Sequence, residues 1–419
     1  MLQCCKVPLL IAICGTSCSA TWAADAPLTL PAAVEIAASH SPTLMARQAA
    51  VLAADAMAIS AGRLPDPELV VGLDDVPSTG DRAFSLSRDE FTGRKIGLMQ
   101  SFPRKEKRDL RRQRAGDEVK MAQAQQANDE LNVKREAALS WISAYIAEQS
   151  VLRLQALEPV MQLQSRIARN GMSSAQLASA DALAAQAALV EFHDRVRVAE
   201  QAARRSRLDL RRWLPDDANR PLAEPPRFDQ LPVPVGQLLS GIHDHASLRT
   251  FNAQLDAART DVALAQAEKR PDWSVELDYA NRAAPFSDMV TLEFRIGLPL
   301  FASRRQDPVI AGRRAQLHQV EAERDTEIRM HSAEIAEDIA DWESLKARIR
   351  SYEDELIPLS QARSRAALAA FQSSATSVKP VLDAHAAEID AQLLALEVRG
   401  RLGRAWAQLN YLQDQRSDP

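Results

Sequence analysis

The chain is 419 residues long, enough for two or three ordinary domains, and its formal net charge of −5 leaves no electrostatic footprint for nucleic acid. All four cysteines, Cys4, Cys5, Cys14 and Cys18, fall in the first eighteen residues, so the rest of the chain has neither disulfide nor thiol chemistry. With only 14 glycines, and with its 22 prolines clustered, the chain suits long helices better than a loop-rich globule.

The first segment, residues 1–23, reads as a secretory signal: Lys6, the apolar run Val7 to Cys14, then small residues ending in Thr21-Trp22-Ala23. That run is too short to span a bilayer as a permanent helix. Cleavage after Ala23 leaves a mature chain without cysteine. The alternative is a lipid anchor at Cys18, but the preceding Gly15-Thr16-Ser17 lacks the aliphatic residue a lipoprotein signal usually carries.

Next comes an Ala-rich helical lead, Thr29 to Gly62, with Pro31 near its start as helix N-termini allow. It is followed by "RLPDPELVVGLDDV" from Arg63, a polar stretch, and "IGLMQSFP" from Ile96. Within these, Leu69, Val71, Leu73 and then Ile96, Leu98 alternate weakly as strands do. From Asp117 to Glu158 there is neither Gly nor Pro, and apolar residues recur at three and four spacing (Leu139, Ile142, Ile146; Leu154, Leu157, Met161). A helix from about residue 105 to 170 would be on the order of 100 Å long, a coiled-coil length rather than a globular one. It is predicted to stop at Asn170-Gly171, a left-handed cap signal, with Ser173 and Ser174 available to cap a return helix reaching Trp213-Leu214. Residues 215–235 hold Pro215, Pro221, Pro225, Pro226, Pro232 and Pro234, which forbid helix and predict an extended linker across the outside of the body.

The chain then repeats itself. "KRPDWSVELDYAN" from Lys269 answers the segment at Arg63, Ile296-Gly297-Leu298 answers Ile96-Gly97-Leu98, and Pro358 answers Pro159. Trp273, Val275, Leu277 and Tyr279 alternate with Ser274, Glu276 and Asp278. After the loop "NRAAPFSDM", Val290, Leu292, Phe294 and Ile296 alternate with Thr291, Glu293 and Arg295, the strongest strand signal in the chain. Asp307-Pro308 predicts the start of a second long helix, free of Gly and Pro from Arg313 to Ile357; it turns back within residues 372–377 and returns to about Leu412. The predicted organisation is therefore signal 1–23, repeat one 24–214, linker 215–235 and repeat two 236–419.

Strands with one apolar and one charged face fit a barrel with lipid outside and water inside; a sheet half-buried in a soluble protein uses the same alternation. Export, and the marginal stability of an isolated hairpin in water, favour the barrel. An open sheet edge is forbidden in lipid, and four strands cannot close on themselves, so several chains must share one barrel; three give twelve strands. The lipid-facing set would be Trp273, Val275, Leu277, Tyr279, Val290, Leu292, Phe294 and Ile296.

With its duplicated hairpin approaches, "IGLMQSFP" and "RIGLPLF" leaving the hairpins, "RNGMSSAQL" at the first turn-back and "VLDAHAAEIDAQ" on the last return helix, the whole mature chain resembles the TolC family of outer-membrane efflux channels. "QSFP" beside the basic "RKEKRDLRR", with "RPDWSVELDYANR", is most similar to the heavy-metal branch (cobalt-zinc-cadmium and copper-silver types), although the weak lipidation signal departs from many copper-silver channels. The resemblance implies a mainly α fold in which duplicated long helical hairpins build a periplasmic tunnel, with four strands per chain in a twelve-stranded trimeric β-barrel. It implies a homotrimer in the outer membrane extending into the periplasm, and passive exit of substrates, heavy-metal cations in that branch. The implied partners are an inner-membrane pump of RND type, a periplasmic adaptor and outer-membrane lipid. No enzymatic activity, cofactor, metal site or nucleic-acid partner is expected. A drug-efflux duct, a type I protein-secretion duct and an exported coiled-coil scaffold remain alternatives.

The turn-backs would form the tunnel's periplasmic tip. Candidate tip or gate residues are Asn170, Gly171, Ser373, Ser374, Thr376, Lys379 and Asp383, with contacts expected to be few and polar. Asp383 is the leading candidate for a charged ring, or else faces a neighbouring helix. His243 and His245 form a candidate metal pair, but no further ligand lies at helical spacing, so solvated positions near a helix start are expected. His385 is expected on a solvated or pore-lining face. "GDRAFSLSRDEFTG" has no histidine to serve a nucleophile. Trp141 and Tyr145 are expected to pack between helices, and the basic run Arg104 to Arg112 to mark the barrel–tunnel junction.

Overall fold

The computed structural model describes residues 26–173, 179–373 and 375–412, so the signal segment with its cysteines, Ser174 and Ser374 lie outside the described residues. In chain order the elements are α1 (Leu30–Ser39), α2 (Pro42–Ser60), β1 (Glu68–Asp74), β2 (Gly93–Phe102), α3 (Lys105–Ser173) and α4 (Ser179–Arg211). After the proline-rich segment follow α5 (Val235–Ser240), α6 (Ala246–Ala267), β3 (Trp273–Arg282), β4 (Met289–Ile296), α7 (Ala302–Ser351), α8 (Ile357–Gln372) and α9 (Lys379–Asn410). The fold is mainly α, with one four-stranded antiparallel sheet in the order β1-β2-β3-β4.

The Ala-rich lead is two helices. Ser41 breaks it: its extended backbone precedes Pro42, and its hydroxyl accepts from Leu44 N at 3.4 Å to cap α2. α3 spans 69 residues, about 100 Å at helical rise. It runs through Asn170-Gly171 to Ser173, three residues beyond the predicted stop, and α4 resumes at Ser179.

α7 begins at Ala302, ahead of the predicted Asp307-Pro308 start. The Phe301 carbonyl already accepts from the backbone N–H groups of Arg304 and Arg305, and Asp307, rather than capping, pairs with Lys269. Pro358 has a consequence that Pro159 lacks. A proline cannot donate to the carbonyl four residues back, and just before it the chain widens into a π turn over Tyr352–Leu356, separating α7 from α8. At the analogous place α3 carries Pro159 without interruption.

The main core lies midway along the bundle. Trp141 on α3 is fully buried, stacks on Tyr145 at 5.5 Å, and donates from Nε1 to the Leu28 carbonyl at 3.1 Å. On α7 the counterpart Trp342 donates to the Phe228 carbonyl at 2.8 Å, and Trp406 on α9 to that of Gln230 at 2.8 Å. The proline-rich segment is thus held by indole clasps instead of lying loosely on the surface. Leu28 pairs in parallel with Leu222, and Phe228 packs so close to Gly403 that a Cβ there would meet its ring at 2.8 Å.

Candidate duct: the sheet and the helical tip

The two hairpins meet edge to edge, and the register aligns their apolar residues into rows. Leu69, Leu98, Leu277 and Leu292 form one row across the four strands, and Val71, Ile96, Tyr279 and Val290 another. Trp273 stands opposite Phe102 and Ile296, its ring stacked on Phe102 at 4.3 Å; Val275 pairs with Phe294. All these apolar side chains point away from the charged face, and Val71, Leu277, Val290 and Phe294 are more than half exposed.

On the other face lies a charge network. Lys95 Nζ stands 3.1 Å from Glu276 and 2.9 Å from Asp278, while Arg295 reaches Glu276 at 2.6 Å and Glu293 at 2.7 Å. Glu276 and Asp278 are buried at 2 % and 3 % exposure, a position carboxylates tolerate only when paired. Gly97 makes room for it: a Cβ there would sit 1.8 Å from the Asp278 carboxylate. Sequence reasoning identified the alternation but missed Lys95 and Gly97. The signal was present, since Lys95 falls two residues from Gly97 on the polar side of "RKIGLM".

Where the sheet meets the bundle, the basic run starts α3 directly after β2. Lys107, 2 % exposed, is held by Asp272 at 2.9 Å and Glu268 at 3.0 Å; Arg104 N donates to Asp272 at 3.0 Å. These pairs tie the first long helix to the approach of the second hairpin.

At the far end the helix pairs turn. Ser373, Thr376, Lys379 and Asp383 come together around the α8–α9 turn, and Asn170 and Gly171 lie in the last turn of α3 at the same end. The expectation of few and polar contacts is corrected here. Ala168, Ala185, Val378 and Leu382 are buried together, with Phe371 against them, so an apolar plug joins the two hairpins just behind the tip. Lys379 and Asp383 are exposed and pair with each other at 3.2 Å. Ser373 Oγ donates to the Ala370 carbonyl at 3.0 Å, closing the end of α8.

Two histidine expectations are overturned. His245 is not solvated: it is fully buried as the N-cap of α6, and its Nδ1 lies 2.9 Å from His331 Nε2 on α7. Long-range packing supplied the neighbour that helical spacing could not. Burial, then the nearby His331, push its pKa down to about 4, with Asp244 opposing. His385 faces α8 rather than solvent or a pore, its Nδ1 2.8 Å from Ser364 Oγ, and burial lowers its pKa against the opposing Glu388. Glu388 approaches that same Nδ1 at 3.7 Å. A serine relay needs the two partners on opposite ring nitrogens, and Ser364 is buried. Among the described residues no group of three or more His, Cys, Asp or Glu could hold a metal ion.

The His245 shift sets a pH dependence. The folded state favours the neutral ring, so its contribution is complete above about pH 6.5 and is lost as the pH falls toward 4. Denaturant unfolding between pH 7 and pH 4 should show a loss larger by on the order of 3 kcal/mol in the native protein than in His245→Gln, which keeps the His385 contribution. An acid limb of the same size in the variant would assign it elsewhere.

No helix among the described residues is long and apolar enough to cross a membrane. No protein-family model matches the sequence, and no curated protein does. Solved structures match along nearly the whole chain. The outer membrane protein VceC of Vibrio cholerae is 19% identical, with 91% of this chain and 95% of that chain covered at a TM-score of 0.76. The CmeC outer membrane channel of Campylobacter jejuni is 11% identical, with 100% and 95% covered at 0.77. The MtrE outer membrane channel of Neisseria gonorrhoeae, solved in its open state, is 14% identical, with 92% and 88% covered at 0.74. The chain shares the fold of these outer-membrane channel proteins, with long helical hairpins and a small sheet in each chain.

Proposed function

We propose that three copies of this chain form an outer-membrane exit duct, a twelve-stranded barrel continued by a periplasmic helical tunnel. The observation that carries it is the four-stranded sheet. Its apolar rows suit lipid, its charged face suits a water-filled lumen, and its two outer edges require partners that only further copies supply. The likeness to solved outer-membrane channels supports the same reading. In this role the chain is passive: an inner-membrane pump, of RND type in the branch it resembles, and a periplasmic adaptor deliver the substrate. Heavy-metal cations are the substrate class proposed on the resemblance of "QSFP", "RKEKRDLRR" and "RPDWSVELDYANR". Membrane fractionation with crosslinking tests the duct, and recovery as a soluble monomer would sink it. Metal sensitivity of a deletion strain, set against its sensitivity to drugs and its protein secretion, tests the substrate.

The proposed gate is the tip at which α8 turns into α9. Three copies of Asp383 near one axis would repel each other and attract cations, each offset in part by its own Lys379. Asp383→Ala should shift cation selectivity or the closed fraction in planar-bilayer recordings. Unchanged conductance, selectivity and efflux would place the constriction elsewhere.

A further inference from the structure

The two copies of the repeat leave the sheet in the same way: an aromatic residue, then two cations. β2 ends in Phe102, followed by Pro103, Arg104 and Lys105; after β4 come Phe301, Ala302, Ser303, Arg304 and Arg305. In the second copy Leu298, Leu300 and Phe301 are 66%, 75% and 67% exposed and continue the apolar strand face past Ile296. Phe102 and Trp273 stack on each other at the same end of the sheet.

The arginines there are electrostatically misplaced. Arg304 and Arg305 occupy the first turn of α7, where the helix macrodipole is positive and disfavours cations, and that turn holds no acidic residue. Both are exposed, and among the described residues neither guanidinium has a hydrogen-bond or ion-pair partner. In the first copy Lys105 is 85% exposed and reaches Asp109 only at 3.9 Å. Positive charge thus accumulates on positive helix ends, immediately beside an apolar belt, and at Arg304 and Arg305 no carboxylate among the described residues pairs with it.

We infer that this belt is a docking surface for anionic phospholipid: Arg304 and Arg305, with Lys105 from the first copy, hold headgroup phosphates while Leu298, Leu300, Phe301 and the Phe102–Trp273 stack lie among the acyl chains. The inference rests on the proposed barrel. Lipid is the occupant because the surface is continuous with the sheet face assigned to the hydrocarbon, and because its charge is complementary to phosphate diesters. An aromatic girdle with basic residues just outside it is the arrangement an interface selects. The belt would fix the depth at which the duct sits and anchor α7 where it leaves the membrane.

Trp273 provides the readout, since Trp141, Trp342 and Trp406 lie in the helical core, Trp213 packs against it, and Trp22 belongs to the segment expected to be cleaved. The full chain is reconstituted in phosphatidylcholine bilayers in which either phosphatidylcholine or phosphatidylglycerol carries brominated acyl chains. At equal mole fraction the brominated phosphatidylglycerol should quench more strongly in the native protein. Arg304→Gln with Arg305→Gln should lower that preference about fivefold per arginine removed, and 1 M NaCl should do the same to the native protein. A preference unchanged in the double variant overturns the inference. If the variant fails to assemble, the native protein decides: a preference that survives high salt also overturns it. Crosslinking of Arg305→Cys to a second copy instead of to lipid would reassign the surface to a subunit contact. Absence of any lipid quenching would show that the barrel reading itself had failed.

Discussion

Leu277→Arg is expected to cost about 2–4 kcal/mol of barrel stability, whereas Glu293→Gln on the adjacent strand should be nearly neutral. Leu277 lies in the middle of β3, between Leu98 and Leu292, with Leu69 completing the row. In the proposed barrel an arginine there would place its guanidinium amid hydrocarbon, in a row made of leucines alone. Glu293, in contrast, sits on the charged face, half exposed and paired with Arg295, where water can replace it. Folding titrations in lipid vesicles, with trimer yield on unheated gels, measure both. Equal costs for the two variants would mean that the sheet's faces are assigned the wrong way round, or that it does not meet lipid.

The strands were legible because period two is a local signal: each residue from Val290 to Ile296 declares its face without reference to anything distant. The long helices were legible for the same reason, from uninterrupted three-and-four spacing. What was not legible depended on distance or on competition. His331 lies 86 positions from His245, and only the packing of α7 on the start of α6 brings them to hydrogen-bonding distance. Asp307-Pro308 carries a valid start signal, but a helix can begin earlier wherever a preceding carbonyl accepts, as that of Phe301 does. The apolar plug at the tip was not legible because Ala168 and Ala185 come from two helices and Val378 from the turn before α9, and none stands out on its own. The charged sheet face was half legible. Glu276 and Asp278 were visible as an inward set, but their burial follows from Lys95 two strand positions before Gly97, in the other repeat.

Trp342→Ala is expected to cost about 3–5 kcal/mol, the range for emptying a buried aromatic site. Its ring is 4% exposed within the main core, Lys346 Nζ lies 4.1 Å over it, and its Nε1 holds the Phe228 carbonyl at 2.8 Å. Trp342→Phe separates these contributions. It keeps most of the apolar volume but removes the donor and leaves a carbonyl of the proline-rich segment unpaired, which costs about 1–3 kcal/mol. The equivalent change, Trp141→Phe, should cost less, because the Leu28 carbonyl it releases still accepts from Ala223 N at 3.1 Å. Denaturant unfolding of the solubilised protein gives the costs, and limited proteolysis gives the mechanism. If the clasp is what holds the segment, cleavage within residues 215–235 should accelerate in Trp342→Phe before global unfolding. A phenylalanine variant as stable and as protease-resistant as the native protein would show that packing around Phe228 and Gly403 suffices, and that the indole bond contributes nothing separate.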